Sequence, residues 1–332
     1  MNKKSKIAVI GEGSWATAIV KILSNNIDKI NWYVRSKDAI NFIKRHHHNP
    51  NFLSSVELDT SKLKLYGNAK DAILDSEIIF FVVPSAFLKV TIEGITAKDL
   101  EDKYIVSAIK GIIPEENQTV CTFFNEKYKV SKDNMAIVSG PCHAEEVALE
   151  RLSYLTVASN FSENARHISN LMECRYIKTT ISDDMIGSEY GTVLKNIMAV
   201  AAGICHGVGF GDNFQAVLIS NAIQEMKRFI DVIHPKHRDI DSSVYLGDLL
   251  VTAYSQFSRN RTFGNMIGKG YSVKSAQLEM NMVAEGYYAT QSIYEINKQY
   301  NVHMPICNAV YNILYGKISP DIEIKLLTEE LR

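Results

Sequence analysis

Neither sign of charge prevails in this sequence: 36 Lys and Arg stand against 37 Asp and Glu, for a formal net charge of −1. Without a basic excess there is no electrostatic footprint for nucleic acid, so no such partner is expected. Cysteine is scarce as well. The five residues (121, 142, 174, 205 and 307) form no CxxC pair and are odd in number, which excludes a disulfide framework and fits free thiols in a reducing compartment. Long apolar runs are also missing. The best candidate, residues 184–205, is interrupted by Glu189 and Lys195, so no membrane span is expected. The start, MNKKSKIAVIGEG, places only Ile7–Ile10 between its lysines and Gly11–Glu12, too short a run for a signal peptide. These absences together predict a cytoplasmic protein. A metal is not expected either, because the adjacent His46, His47 and His48 lack the spacing of a tetrahedral site. Cys205–His206 shows no third partner that would orient a thiol nucleophile, so Cys205 reads as a packed helix residue.

What remains is an ordinary globular composition, 46% hydrophobic and 22% charged, over 332 residues, enough for two domains. The first half carries short apolar runs at 6–11, 29–34, 77–83, 104–109, 135–140 and 153–159, separated by helical stretches. Continuous apolar strands alternating with helices predict an α/β domain, a doubly wound parallel sheet covered on both faces. After about 182 the strands stop. Helices are predicted near 184–205, 213–231, 243–257, 284–299, 305–315 and 320–331, with Asn213 a candidate cap and Pro235, Pro305 and Pro320 at or before helix starts. The expected organisation is a dinucleotide-binding domain over 1–182 and an all-helical domain over 183–332.

The first strand runs into GEGSWA, which gives Gly11-x-Gly13-x-x-Ala16 at a strand end and a helix start. A bare GxGxxG is weak, but in this context it predicts a dinucleotide site. Gly11 makes the tight turn, Gly13 lets backbone approach a pyrophosphate, and Ala16 permits close helix–strand packing. The second strand ends YVRSK. An acidic residue there would favour NAD, whereas Arg35 can accept a 2′-phosphate, so NADPH as well as NADH is compatible.

Ligands of open parallel sheets bind beyond the carboxyl ends of strands. Lys110 follows strand 104–109 at such a place, and SGPCHAEE follows strand 135–140. The apolar segment 184–205 raises a different question, because Lys195 rises from a stripe formed by Ser188, Gly191, Ala199 and Ala202. Burying an unpaired ammonium is costly, so the lysine needs an anion or a developing negative charge. It could also snorkel to water or pair with Glu189. Beside a dinucleotide domain it becomes a candidate proton donor for the alkoxide that hydride transfer creates. Residues 247–264, GDLLVTAYSQFSRNRTFG, read as a helix from Asp248 whose end delivers Ser258, Arg259, Asn260 and Arg261. These are donors suited to phosphate, although a solvated basic helix end is an equal alternative. MVAEG (282–286) places Glu285 at a helix start, where a carboxylate can cap or touch a ribose.

With these motifs in order, from IGEGSWATA through FVVPS, VSAIKGI, SGPCHAEEV, DMIGSEYGTVLKNIMAVAAGI, GFGDN, GDLLVT and SRNRTFG to VAEG, the chain resembles the NAD(P)-dependent glycerol-3-phosphate dehydrogenases of bacterial type. The resemblance implies a Rossmann domain followed by a helical domain. It also implies reduction of dihydroxyacetone phosphate to sn-glycerol 3-phosphate, feeding glycerophospholipid synthesis, by a homodimer. It implies cofactor contacts from Ser14, Trp15, Arg35, Ala144, Arg259, Val283 and Glu285, with Lys110 between cofactor and substrate. Gly140, Cys142, Asp248, Ser258, Arg259 and Asn260 would hold the substrate, and Lys195 would exchange the proton. Ala16 stands where the family usually has glycine, Cys142 where Ser or Thr is common, and SSVYLGD lacks the usual glycines. A 3-hydroxyacid or 6-phosphogluconate type dehydrogenase shares the architecture, but SRNR and Lys110 argue against it. A dinucleotide sensor without turnover would leave Lys195, Asp248 and Arg259 without a task.

Overall fold

The structure, a computed structural model, describes residues 6–280 and 283–332. The basic start at 1–5 and Met282 of MVAEG lie outside the described residues. Two compact units form. The first gathers the chain up to Ile109 together with Val120–Met185, and the second takes Lys110–Thr119 and Ile186–Arg332.

The first unit is built on eight strands: β1 (Ile7–Ile10), β2 (Ile30–Tyr33), β3 (Leu63–Tyr66), β4 (Ile78–Phe81), β5 (Tyr104–Ser107), β6 (Met135–Ser139), β7 (Ser153–Ala158) and β8 (Ile177–Ser182). Their order across the sheet is β3-β2-β1-β4-β5-β6-β7-β8. The inner strands IAVI, IIFF, YIVS and MAIVS are buried along their whole length, because helices cover both faces. Between the strands run α1 (Ser14–Leu23), α2 (Lys37–His46), α3 (Ala69–Leu74), α4 (Leu88–Thr91), α5 (Val120–Tyr128), α6 (Ala144–Ala148) and α7 (Ser162–Met172). The first six strands are mutually parallel and follow the Rossmann order, with the switch of direction at β1/β4. The sheet departs from the all-parallel expectation at β7, which pairs antiparallel with β6 (Val138 opposite Val157), while β8 runs parallel to β7. Strands β3 and β8 have no counterpart among the predicted strands. Both lie at sheet edges, where LKLY and IKTTIS leave side chains partly in water.

The second unit is helical: α8 (Met185–Val208), α9 (Asp212–Ile233), α10 (Asp248–Tyr254), α11 (Arg259–Gly268), α12 (Val273–Glu279), α13 (Glu285–Tyr300), α14 (Pro305–Leu314) and α15 (Pro320–Glu330). Its core gathers Val193, Leu194, Ile197, Met198, Phe229, Phe263, Ile293 and Ile306, and Ile112 joins it from the 110–119 segment. By length and composition α8 could cross a membrane, but 83% of its apolar window is buried inside the protein, the state of a core helix.

Glycines set how closely α8 and α11 approach. A Cβ at Gly203 would lie 2.1 Å from the Arg261 carbonyl oxygen, and one at Gly264 would lie 2.1 Å from that of Val200. Gly207 and Gly268 repeat the contact one turn on, at 2.5 Å from Asn265 O and 2.3 Å from Ile204 O. Buried Glu225 of α9 accepts the backbone N–H groups of Ile306 and Cys307, both at 2.9 Å, and so caps α14 behind Pro305. Burial pushes this carboxyl up to about 7.

Several boundaries differ from the sequence reading. Gly211, not Asn213, precedes α9. Pro305 and Pro320 open helices, whereas Pro235 sits in a loop. The predicted helix 243–257 divides into a π-helical turn (Ser243–Gly247) and the short α10.

Candidate active site

Gly11 ends β1 with φ +139, a backbone state that favours glycine, and a Cβ there would strike the Val82 carbonyl oxygen at 2.2 Å. The indole Nε1 of buried Trp32 donates to Gly11 O at 2.7 Å and fixes the turn from beneath. Asn49 does the same from the loop after α2, donating to Glu12 O at 3.0 Å and to Thr17 Oγ1 at 2.9 Å. Gly13 is the N-cap of α1 and supplies no capping side chain, and among the described residues a Cβ at this position would meet no heavy atom beyond its chain neighbours within 4 Å. A ten-residue helix whose N-cap supplies no side chain, beneath a glycine with open space above it, suits a pyrophosphate. Ser14 opens α1, Trp15 is half-buried beside the sheet core, and Ala16 is fully enclosed within it.

Arg35 follows β2 with an exposed side chain. Its backbone N–H donates to Glu12 Oε2 at 2.9 Å, and its Nε lies 3.4 Å from Glu12 Oε1. After β6 the chain turns at Gly140, φ +117, where a Cβ would press on Tyr154 O at 3.0 Å. Cys142 is a buried thiol outside any disulfide, and buried Ala144 opens α6.

In the helical unit, Lys195 of α8 is buried, with 4% of its surface exposed. Its Nζ donates to Asp248 Oδ1 at 2.6 Å and to Thr252 Oγ1 at 2.8 Å. The Thr252 hydroxyl in turn donates to the Asp248 carbonyl at 2.6 Å, which leaves its lone pairs for the lysine. Lys110 Nζ reaches the other carboxylate oxygen, Asp248 Oδ2, at 3.5 Å. One carboxylate therefore bridges two ammonium groups. Burial pulls the Lys195 ammonium down to about 8; Asp248 opposes that fall and Lys110 adds to it. The ion pair with Glu189 weighed from the sequence gives way to Asp248. The small-residue stripe is also occupied by protein, since a Cβ on Gly191 would lie 2.9 Å from the Tyr245 ring.

A chain of amides holds the cluster in place. Asn196 Nδ2 donates to Lys110 O at 2.6 Å, Asn260 Nδ2 donates to Asn196 Oδ1 at 2.9 Å, and Gly286 N donates to Asn260 Oδ1 at 2.9 Å. The chain ties the Lys110 backbone to the starts of α11 and α13, where Arg259 and Glu285 are the first helical residues. Half-buried Val283 just precedes α13. Asn260 keeps one amide hydrogen beyond this network.

The SRNR segment proves to be a helix start rather than a helix end. Ser258 caps α11, accepting from Arg261 N at 3.3 Å. Basic side chains gain nothing from the positive end of a helix dipole, whereas an anion held there does. The alternative of a dipole-favoured basic helix end therefore disappears.

Glu12, Asn49, Asn196 and Thr252 were not singled out by the sequence as site residues. The available signals were weak: Thr252 lies one helical turn after Asp248, and Asn196 adjoins Lys195. Among the described residues no group of three or more His, Cys, Asp or Glu is placed to hold a metal. His46 stacks on Phe42, and His47 Nδ1 pairs with Thr60 Oγ1.

Residues 6–165 match the family described as NAD-dependent glycerol-3-phosphate dehydrogenase N-terminus, and residues 184–325 match its C-terminus. Among curated relatives, the glycerol-3-phosphate dehydrogenase [NAD(P)+] of Staphylococcus carnosus is 34% identical over 331 residues, spanning 97% of each chain. The protein of the same name from Streptococcus sanguinis is 33% identical over 314 residues, 94% of this chain and 92% of that one. Among solved structures, glycerol-3-phosphate dehydrogenase from Coxiella burnetii superposes with a TM-score of 0.89 at 27% identity, over 99% of this chain and 100% of that one.

Proposed function

Since the chain belongs to the NAD-dependent glycerol-3-phosphate dehydrogenase family, we propose that it catalyses the reversible NAD(P)H-dependent reduction of dihydroxyacetone phosphate to sn-glycerol 3-phosphate, for glycerophospholipid synthesis. The observation that carries this reading is the buried Lys195–Asp248–Lys110 cluster, in which an ammonium lowered to about 8 sits beside a second cation.

In this reading the chain to about 182 binds the dinucleotide, through Gly11, Gly13, Ser14, Trp15, Arg35 and Ala144. Lys110, Arg259, Val283 and Glu285 complete the cofactor contacts. Residues 183–332 serve the substrate, together with Lys110, Gly140 and Cys142. The reduced cofactor, when bound, supplies a hydride to C2 of the ketone. Lys195 gives its Nζ proton to the C2 oxygen as negative charge develops there, and the resulting amine recovers a proton from solvent. Asp248 and Thr252 aim the ammonium. Lys110 lowers its affinity for the proton and adds positive field at the nascent alkoxide. Arg259, at the positive end of α11, clamps the phosphate with Ser258 and Asn260. The balanced net charge, cysteines outside any disulfide and enclosed α8 support a cytoplasmic enzyme of small molecules, without a nucleic-acid or membrane partner, and the family supports a homodimer.

The test is loss of reduced-nicotinamide absorbance with dihydroxyacetone phosphate, run in parallel with NADH and NADPH. Lys195→Met should lower kcat by about a thousandfold while dinucleotide affinity persists. A variant that keeps more than about a tenth of the wild-type rate would remove Lys195 from the chemistry.

A further inference from the structure

Cofactor choice at the end of a second Rossmann strand usually turns on one side chain, an acid for ribose hydroxyls or a base for a 2′-phosphate. This chain places both charges there, and the acid comes from the glycine turn. Glu12, the residue between Gly11 and Gly13, folds its carboxylate onto Arg35, accepting the backbone N–H at 2.9 Å and lying 3.4 Å from the guanidinium Nε. It is the better enclosed of the two, with 20% of its side chain exposed against 81% for Arg35. Its own carbonyl is pinned by Asn49 at 3.0 Å. The carboxylate therefore sits on a backbone N–H while the Asn49 side chain holds the backbone that carries it, unlike a passing surface ion pair. Its charge also reaches the last residue of β2: burial pushes the Tyr33 phenol up, and Glu12 pushes it further.

We propose that Glu12 is the residue that sets dinucleotide preference, accepting a ribose hydroxyl and disfavouring a 2′-phosphate, so that the protein prefers NADH to NADPH despite Arg35. The inference rests on the dinucleotide reading of the glycine turn. The physical reason is competition at one guanidinium. A 2′-phosphate on Arg35 must share it with a carboxylate that is fixed in place, and like charges at that range repel. A ribose hydroxyl finds the same carboxylate as an acceptor.

Direct titration of NADH and NADPH into the full-length protein, read by calorimetry, tests this without any substrate. The wild type should bind NADH at least about tenfold more tightly. Glu12→Gln, which keeps an acceptor for Arg35 N but removes the charge, should move the affinity ratio toward NADPH by about tenfold, mainly through tighter NADPH binding. Glu12→Ala should move it in the same direction, which covers the case of a poorly folding Gln variant. Arg35→Ala should weaken NADPH more than NADH. A wild type that prefers NADPH overturns the inference, as does a ratio that moves less than about threefold in both Glu12 variants, or an equal loss of both affinities. A wild type that binds neither dinucleotide fails differently, because it removes the cofactor site itself and the inference with it.

Discussion

The glycine turn of the sheet unit and the glycine crossing of the helical unit use the same residue for opposite ends. At Gly203, Gly207, Gly264 and Gly268 the missing side chain is replaced by backbone of the facing helix, within 2.1–2.5 Å of where a Cβ would stand. At Gly13, among the described residues, no atom beyond its own chain neighbours lies within 4 Å of that point. The first set brings two helices together. A side chain at Gly13 would pack against nothing described, and the open space lies at the start of α1. A glycine is thus best interpreted by what surrounds its absent Cβ.

The contrast breaks most visibly at the crossing. Gly264→Ala forces α8 and α11 apart and should cost about 3 kcal/mol or more, read as a lower midpoint in urea. Retention of wild-type stability would show that the helices can separate cheaply. Gly13→Ala should do the reverse, leaving stability within about 0.5 kcal/mol while weakening dinucleotide binding about tenfold. A stability loss without a binding loss would make Gly13 a packing residue like the others. The smallest effect lies in the helical unit. Reduction needs Lys195 protonated, so its kcat should fall as pH rises through about 8, and oxidation should rise over the same interval. Lys110→Met, by removing a charge that lowers the lysine's proton affinity, should raise that midpoint. An unmoved midpoint would mean that burial alone holds the lysine's proton affinity down.

The sequence shows a feature where one physical demand dominates and hides it where two compete. Inner strands such as IIFF are legible because both faces are buried. LKLY and IKTTIS are not, because an edge strand must tolerate water on part of its surface and so loses the apolar run. Helix α11 escaped notice for a related reason. RNRTFGNMIG carries two glycines, which disfavour a helix interior, yet Gly264 and Gly268 are the notches that let it pack. Within the lysine cluster, Lys110, Lys195 and Asp248 stand out as charges in apolar or glycine-rich surroundings, and the structure joins them through one carboxylate. Asn196 and Thr252 do not stand out. A neutral polar residue on a helix looks the same whether it faces solvent or a buried partner 2.6–2.8 Å away.

Residues 110–119 break the simple division of the chain into halves, because they belong with the helices although they lie in sequence between β5 and α5. A single genetic crossover between relatives, placed between residues 119 and 195, would separate Lys110 from the Lys195 and Asp248 it meets. Recombinants that exchange only the C-terminal half would inherit one lysine from each parent and join Ile112 to a core with which it had not evolved.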